Sequence, residues 1–342
     1  MDMDRYTIDR LWPPEDDFYS KALEFVLERR LDYVPDAREW QGLHRLIQAH
    51  QLSGLFYSRL KPSMPGDLVE EFGRHWKMQF LRNQVHQELL EDLGVYLQER
   101  NHSVVPLKGA SLQKRLYGQT GERFQSDIDL LLPRGDFEAA IQFLMERRFA
   151  RALDDILSPH KNVWHGEVGG LEVTVEIHRR LFAEEPPKWF WQTTKSGIPG
   201  LRYLTLEQEL FFLIHHVAHQ HTFLKLFWLR DIALFLKRYG GHLDWGEVWH
   251  LAEQFHREKS VMAVLLLMVR FGPEGCCEDW MAWDIGRKGR WVLSRITPKF
   301  LWHVRENLFS YFFVKHGLKD TWGEAITYDI RWLKSRVSRA PN

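Results

Sequence analysis

The stretch Ser126-Asp127-Ile128-Asp129-Leu130-Leu131-Leu132, closed by Pro133, decides how this chain reads. Its apolar residues favour a strand, and a strand puts residues two apart on one face. Asp127 and Asp129 therefore point one way, and Ile128, Leu130 and Leu132 point the other way into a core. Two parallel carboxylates repel unless a positive group lies between them or one keeps its proton. A hard cation such as Mg²⁺ meets that need, because it prefers carboxylate oxygens with waters and substrate phosphates. An Asp-x-Asp alone equally fits a solvated strand end, so its surroundings must choose.

Upstream lies Val104-Val105-Pro106-Leu107-Lys108-Gly109-Ala110-Ser111-Leu112. It reads as a strand over 103–107, a turn at Gly109 and a helix over 110–117. Glycine at such a turn lets a ligand approach the backbone, and the free N–H groups of a helix start suit phosphate. Lys108 adds a charge and Ser111 a hydroxyl, although an ordinary turn could carry the same residues. Downstream, Gly169-Gly170 reads as a hairpin turn joining strands 162–168 and 171–178. In the second strand Val173, Val175 and Ile177 share one face, and Thr174, Glu176 and His178 the other. Glu176 is then a third strand carboxylate, either joining the first two or lying on a solvated face.

Three segments in order carry a family resemblance: Leu107-Lys108-Gly109-Ala110; Arg123 ahead of Ser126-Asp127-Ile128-Asp129-Leu130-Leu131; and Val175-Glu176-Ile177-His178-Arg179-Arg180-Leu181. Together they resemble the nucleotidyltransferases of the polymerase-β superfamily, and within it the bacterial uncharacterised nucleotidyltransferase family. The likeness covers about residues 100–182 strongly, and continues more weakly through Leu229-Arg230-Asp231-Ile232-Ala233 and Leu243-Asp244-Trp245. It implies an α+β fold: a small mixed β-sheet core flanked by N-terminal and C-terminal helical regions. It also implies metal-dependent transfer of NMP, AMP foremost, from an NTP to a small-molecule or protein acceptor. Carried over residue by residue, Lys108, Gly109, Ala110, Ser111 and Arg123 would hold the triphosphate. Asp127, Asp129 and Glu176 would hold two Mg²⁺ ions, and Glu176 would help deprotonate the acceptor.

The sequence departs from the superfamily in two places. Ala110 follows Gly109 where Gly-Ser or Gly-Gly is common, so the first hydroxyl comes one place later, at Ser111. The third acid is Glu rather than Asp and reaches farther. Arg123 reads either as a phosphate contact or as a surface salt bridge. The rival function is a catalytically silent nucleotide-binding or antitoxin-like interaction module of the same fold; three carboxylates in place favour the enzyme.

A length of 342 residues suggests two or three domains, and the motifs divide it into a helical region 1–100, a core 101–182 and a helical domain 183–342. Hydrophobic content of 44% with 27% charged residues is that of an ordinary soluble protein, and fifteen Trp with 22 Phe predict an aromatic-rich core. With 46 basic and 46 acidic residues the net charge is +0, which argues against nucleic acid as a partner. No run approaches the ~18 apolar residues of a membrane span. The start, Met1-Asp2-Met3-Asp4-Arg5, lacks the apolar stretch of a secretory signal. The only cysteines, Cys276 and Cys277, are adjacent and make no disulfide framework, so a reduced, cytoplasmic setting is expected.

Outside the core the pattern is helical. Asp16 and Asp17 precede an apolar stripe from Phe18, and helical pattern continues over 37–60. Asp67 with Glu70 suggests a capped start to one long helix reaching about Arg100, with Phe72, Trp76, Phe80 and Leu81 on its stripe. Asp136 starts another helix. Thr205–Gln208 reads as a capping box and Asp244–Glu247 resembles one. Segment 272–290 looks irregular, with helix again over 299–316 and 322–337. Four histidines, His215, His216, His219 and His221, could hold zinc, contact substrate or pack. Packing is favoured by the apolar helix that carries them. Asp231 reads as a polar anchor, and the basic tail Arg331, Lys334, Arg336, Arg339 as a solvated helix face.

Overall fold

Strong β-formers flanking Gly169-Gly170 make a hairpin, and the hairpin builds the sheet. The computed structural model describes residue 12 and residues 17–118, 120–132, 135–152, 161–181, 193–276, 286–304, 306 and 308–319. In order they form α1 (Phe18–Val26), α2 (Ala37–Ala49), α3 (Ser53–Leu60), α4 (Gly66–Gln98), β1 (Val105–Pro106), α5 (Lys108–Leu112) and β2 (Asp127–Leu131). Next come α6 (Phe137–Glu146), β3 (Ala150–Arg151), β4 (Lys161–Val168), β5 (Leu171–His178), β6 (Thr194–Lys195), β7 (Arg202–Tyr203) and α7 (Leu206–Ile214). The last are α8 (Leu226–Tyr239), α9 (Trp245–Gln254), α10 (Glu258–Phe271), α11 (Gly286–Leu293), α12 (Pro298–Trp302) and α13 (Leu308–Gly317). Mixed helix and sheet make this an α+β protein. The expected helix over 322–337, the basic tail and Cys277 lie outside the described residues.

Contacts gather the chain into two compact units, Leu43–Glu209 and Met1–Gly42 with Leu210–Asn342, where the sequence suggested three consecutive segments. The first unit holds the sheet, in strand order β1-β2-β5-β4-β3. Strands β2 and β5 are parallel and the other pairs antiparallel. Gly169 and Gly170 take φ of 60° and 79°, the doubly left-handed path of a two-residue hairpin turn, which glycine follows without steric cost. Ile128, Leu130, Val173, Val175 and Ile177 bury one sheet face against Leu89, Leu90, Leu93 and Leu97 of α4 and Phe143 and Leu144 of α6. Each such side chain contributes about 1.5–3 kcal/mol.

Helix α4 departs from its reading in two respects. It begins at Gly66 after Pro65 with no side-chain cap, so Asp67 sits in the first turn, where its charge suits the helix dipole. Mid-helix, the buried positions are Gln79, Asn83 and His86, while Leu81 is exposed. The polar face exists because main chain packs against it. Gln79 Nε2 donates to the Gln125 carbonyl at 3.2 Å, and Asn83 Nδ2 to those of Thr120 and Arg123 at 3.0 and 3.2 Å. Buried carbonyls need such donors. Elsewhere Thr205 and Gln208 form the expected reciprocal box, at 3.3 Å both ways. Asp136 precedes α6 but turns its carboxylate to His102 and the Ser103 N–H instead of capping.

In the other unit, Asp17 caps α1 through the Ser20 N–H at 2.7 Å. Helix α10 is buried from Ser260 to Met268 and forms its apolar centre. Arg230 is buried, donates to the Val26 carbonyl at 2.8 Å and pairs with Glu28 at 2.7 Å. Asp231 beside it is also buried. Among the described residues, no helix is long and apolar enough to cross a membrane.

His86 gives this fold a measurable acid weakness. Neither ring nitrogen has a hydrogen-bond partner among the described residues, and burial, helped by the Arg82 charge, pushes its pKa down to about 4. The unfolded chain therefore binds the proton first as pH falls, and stability is lost between about 6.5 and about 4. His86→Leu is expected to remove about 2–3 kcal/mol of that loss. Denaturant melts of both proteins at pH 7, 5.5 and 4 would show it, and parallel acid limbs would assign the loss to other groups.

Candidate functional site

The parallel register of β2 and β5 sets Asp127 opposite Thr174 and Asp129 opposite Glu176. Partners in register share a face, so both aspartates, Glu176 and His178 project from the side opposite the apolar core. Asp129, Glu176 and His178 bring one oxygen or nitrogen each to within 4.8 Å of one another. Among the described residues this is the one such grouping able to hold a metal ion. Asp127, one step earlier on the face, is not in that set, yet both other carboxylates act on it electrostatically.

Three cationic or donor groups face these acids. Lys108 Nζ lies 2.9 Å from Asp129 Oδ1, and His178 Nε2 lies 2.7 Å from the same oxygen. Lys161 Nζ lies 2.6 Å from Glu176 Oε1, and His178 Nε2 is 3.6 Å from Glu176 Oε2. Facing a carboxylate, Nε2 must carry the proton. His178 is thus a hydrogen-bond donor through Nε2 as arranged, so that nitrogen has no lone pair for a metal.

The electrostatics divide the aspartates. Burial would raise the Asp129 pKa, but Lys108 and His178 outweigh it and hold the carboxyl well below its ordinary range. At Asp127 burial, then the Asp129 charge, prevail over the Lys108 charge and a Ser126 hydrogen bond and push it up to about 6. Burial works against the Lys108 charge, yet the facing Asp129 prevails and raises its pKa.

The remaining expected phosphate-binding residues are distributed differently. Lys108 takes φ of 48°, and it directs its ammonium to Asp129. Ala110 belongs to the apolar core of the sheet. Ser111 is buried, and its hydroxyl donates to Glu209 Oε1 at 2.5 Å, with Arg115 on the other carboxylate oxygen. Arg123 is 3% exposed, so it is buried rather than on the surface; its Nη1 donates to the Phe124 carbonyl at 3.0 Å. Gln125 Nε2 donates to the Asp127 carbonyl at 3.0 Å and ties that segment to the strand. Helix α5 is short, and Gln113–Tyr117 continues it as a π-helical turn rather than one α-helix over 110–117.

A profile described as "Uncharacterised nucleotidyltransferase" matches residues 36–273. The chain belongs to this family. Searches of curated proteins and of solved structures give no match. The matched span takes in the whole sheet, the Lys108-Gly109 turn and all three carboxylates.

Sequence reasoning left Lys161 unnoticed and gave His178 no place among the candidates, although a signal for both existed. Counting outward from the Gly-Gly turn pairs Lys161 with His178 across the hairpin, so a lysine is placed beside the acid face. The histidine cluster takes the packing role. His215 and His219 stack at 4.9 Å, Arg257 Nε donates to His215 Nδ1 at 3.1 Å, and Trp228 lies against His216 and His221. Burial, then the neighbouring His219 and Arg257, hold the His215 pKa well below its usual value.

Gly109 is sterically fixed. A Cβ there would collide with the Arg123 guanidinium, and Arg123 is too enclosed to swing aside freely. Gly109→Ala is expected to cost about 1–3 kcal/mol, seen as a lower denaturation midpoint at unchanged slope. An unchanged midpoint would mean that Arg123 relocates at no cost.

Proposed function

We propose that this protein transfers a nucleoside monophosphate from an NTP to a hydroxyl or phosphate oxygen of a small molecule or protein. The observation that carries the reading is the pairing of Asp129 with Glu176 across parallel strands, beside the Lys108-Gly109 turn, in a chain of this family. The donor set fits a divalent cation. Two carboxylates at this separation repel, and hard cations take carboxylate oxygens readily, Mg²⁺ with substrate phosphates completing its shell. Asp127, Asp129 and Glu176 would hold the metal. Bound there, Mg²⁺ supplies charge stabilisation to the attacking oxygen and to the departing pyrophosphate.

The chain's own residues account for the rest. The acceptor oxygen attacks the α-phosphorus, the bond from that phosphorus to the bridging oxygen breaks, and pyrophosphate leaves with the electron pair. Glu176 Oε2, the oxygen not engaged by Lys161, takes the acceptor proton. The Lys108 ammonium, at the mouth of the turn, neutralises phosphate charge, and the backbone at Gly109 receives the triphosphate.

The test is pyrophosphate release with Mg²⁺ and each of the four NTPs over an acceptor panel, alongside NTP-dependent thermal stabilisation. Asp127→Asn with Asp129→Asn is expected to lower release at least about 10²-fold while the protein stays folded. Full release by that double variant would place the chemistry elsewhere. NTP-dependent stabilisation without turnover would favour the silent binding module.

A further inference from the structure

The acid cluster arrives with its own counter-ions. Asp129 Oδ1 already receives two donors, Lys108 Nζ at 2.9 Å and His178 Nε2 at 2.7 Å. Glu176 Oε1 receives Lys161 Nζ at 2.6 Å. A carboxylate oxygen has two lone-pair sites, so Oδ1 of Asp129 is filled and Oε1 of Glu176 half filled. A cation that used Oδ1 of Asp129 would have to displace the Lys108 ammonium or the His178 imidazole, and one that used Oε1 of Glu176 would lie beside the Lys161 ammonium. Three carboxylates, Asp127, Asp129 and Glu176, face two ammonium groups, so the cluster is nearly neutral without any ion.

We propose that Lys108 and Lys161 compete with the divalent cation for Asp129 and Glu176, and release these carboxylates when an NTP offers its phosphates instead. The inference rests on the nucleotidyl-transfer reading and adds an order to it. An ammonium expelled from a carboxylate by metal alone loses its partner, whereas one expelled by a metal–triphosphate complex gains another. Metal alone then binds weakly, metal with nucleotide binds strongly, and the two ligands favour each other reciprocally. Lys161 is the residue to test. Its side chain is 35% exposed, so its replacement leaves the core intact, whereas Lys108 is more enclosed.

The experiment is a Mn²⁺ titration by calorimetry or electron paramagnetic resonance, with and without a non-hydrolysable NTP analogue. It compares the wild type, Lys161→Met, Lys161→Arg and Asp129→Asn. Lys161→Met keeps the apolar stem and removes the charge. Without nucleotide it is expected to bind Mn²⁺ about two- to fivefold more tightly than the wild type, the worth of one partly exposed ion pair. The nucleotide-induced tightening should shrink by a similar factor, and Lys161→Arg should restore wild-type behaviour. A merely structural lysine would leave affinity unchanged or weaken it on removal. Mn²⁺ binding that is equal in the wild type and Lys161→Met, yet lost in Asp129→Asn, would overturn the lysine competition and leave the metal site standing. Mn²⁺ binding indifferent to Asp129→Asn would overturn both.

Discussion

Two carboxylates on neighbouring strands cannot share a buried face without a positive charge between them, and the organisation of the sheet follows from that constraint. At the separation of the Asp129 and Glu176 donor atoms, within 4.8 Å, two full charges repel by about 3 kcal/mol at an effective dielectric of 20. The parallel register of β2 and β5 enforces this approach, because a one-residue shift would turn Ile128 and Leu130 of β2, or Val175 and Ile177 of β5, out of the core. Burial of the apolar face thus fixes the acids, and lysines answer the acids. The turn at Lys108 belongs to the same account. Its left-handed backbone costs a residue with a side chain about 1–2 kcal/mol, and the ion pair to buried Asp129 helps to sustain it.

The support for β2 comes from the polar side of α4. Segment 120–125 approaches the strand as irregular chain with carbonyls turned inward, and Gln79 and Asn83 satisfy them. An apolar stripe at those positions would take these donors from the Arg123 and Gln125 carbonyls, at about 1–3 kcal/mol for each buried group left unpaired. Gln125 extends the chain of contacts to the Asp127 main chain. A helix that reads as amphipathic is therefore two helices in function. Its C-terminal half packs the sheet with leucines, and its middle positions the approach to the acid face.

Most of the sheet was legible in the sequence, because period-two alternation and a Gly-Gly turn leave few other arrangements for residues 161–178. Helix existence was legible for a related reason: apolar spacing marked α1 and α4 where they bury a face. Boundaries and polar partners were less so. Asp67 and Thr205 look alike as caps, yet only Thr205 makes the bonds. The π-turns at Gln113–Tyr117 and His215–Gln220 left no compositional mark. Ser111 and Glu209 are far apart in sequence, so nothing local announced that the hydroxyl would meet that carboxylate. The site was readable to the extent that strand register determines it, which covers Asp129 and Glu176. The lysines on the acids depend on where long flexible side chains find charge, and register alone constrains that only for Lys161.

The histidine run shows why spacing needs winding before it implies chemistry. Histidines four apart on an α-helix lie on one face and can converge on a metal. His215 and His219 sit instead in a π-turn, whose winding is wider than that of an α-helix. Their rings stack nearly parallel, 19° apart, rather than aiming nitrogens at a common point. Arg257 donates to His215 Nδ1, so that lone pair is already used, and a cationic neighbour disfavours a metal ion there. At the sheet the balance is reversed. The groups converge, two of the three are carboxylates, and the positive charges beside them are lysine ammonium groups on long flexible stems.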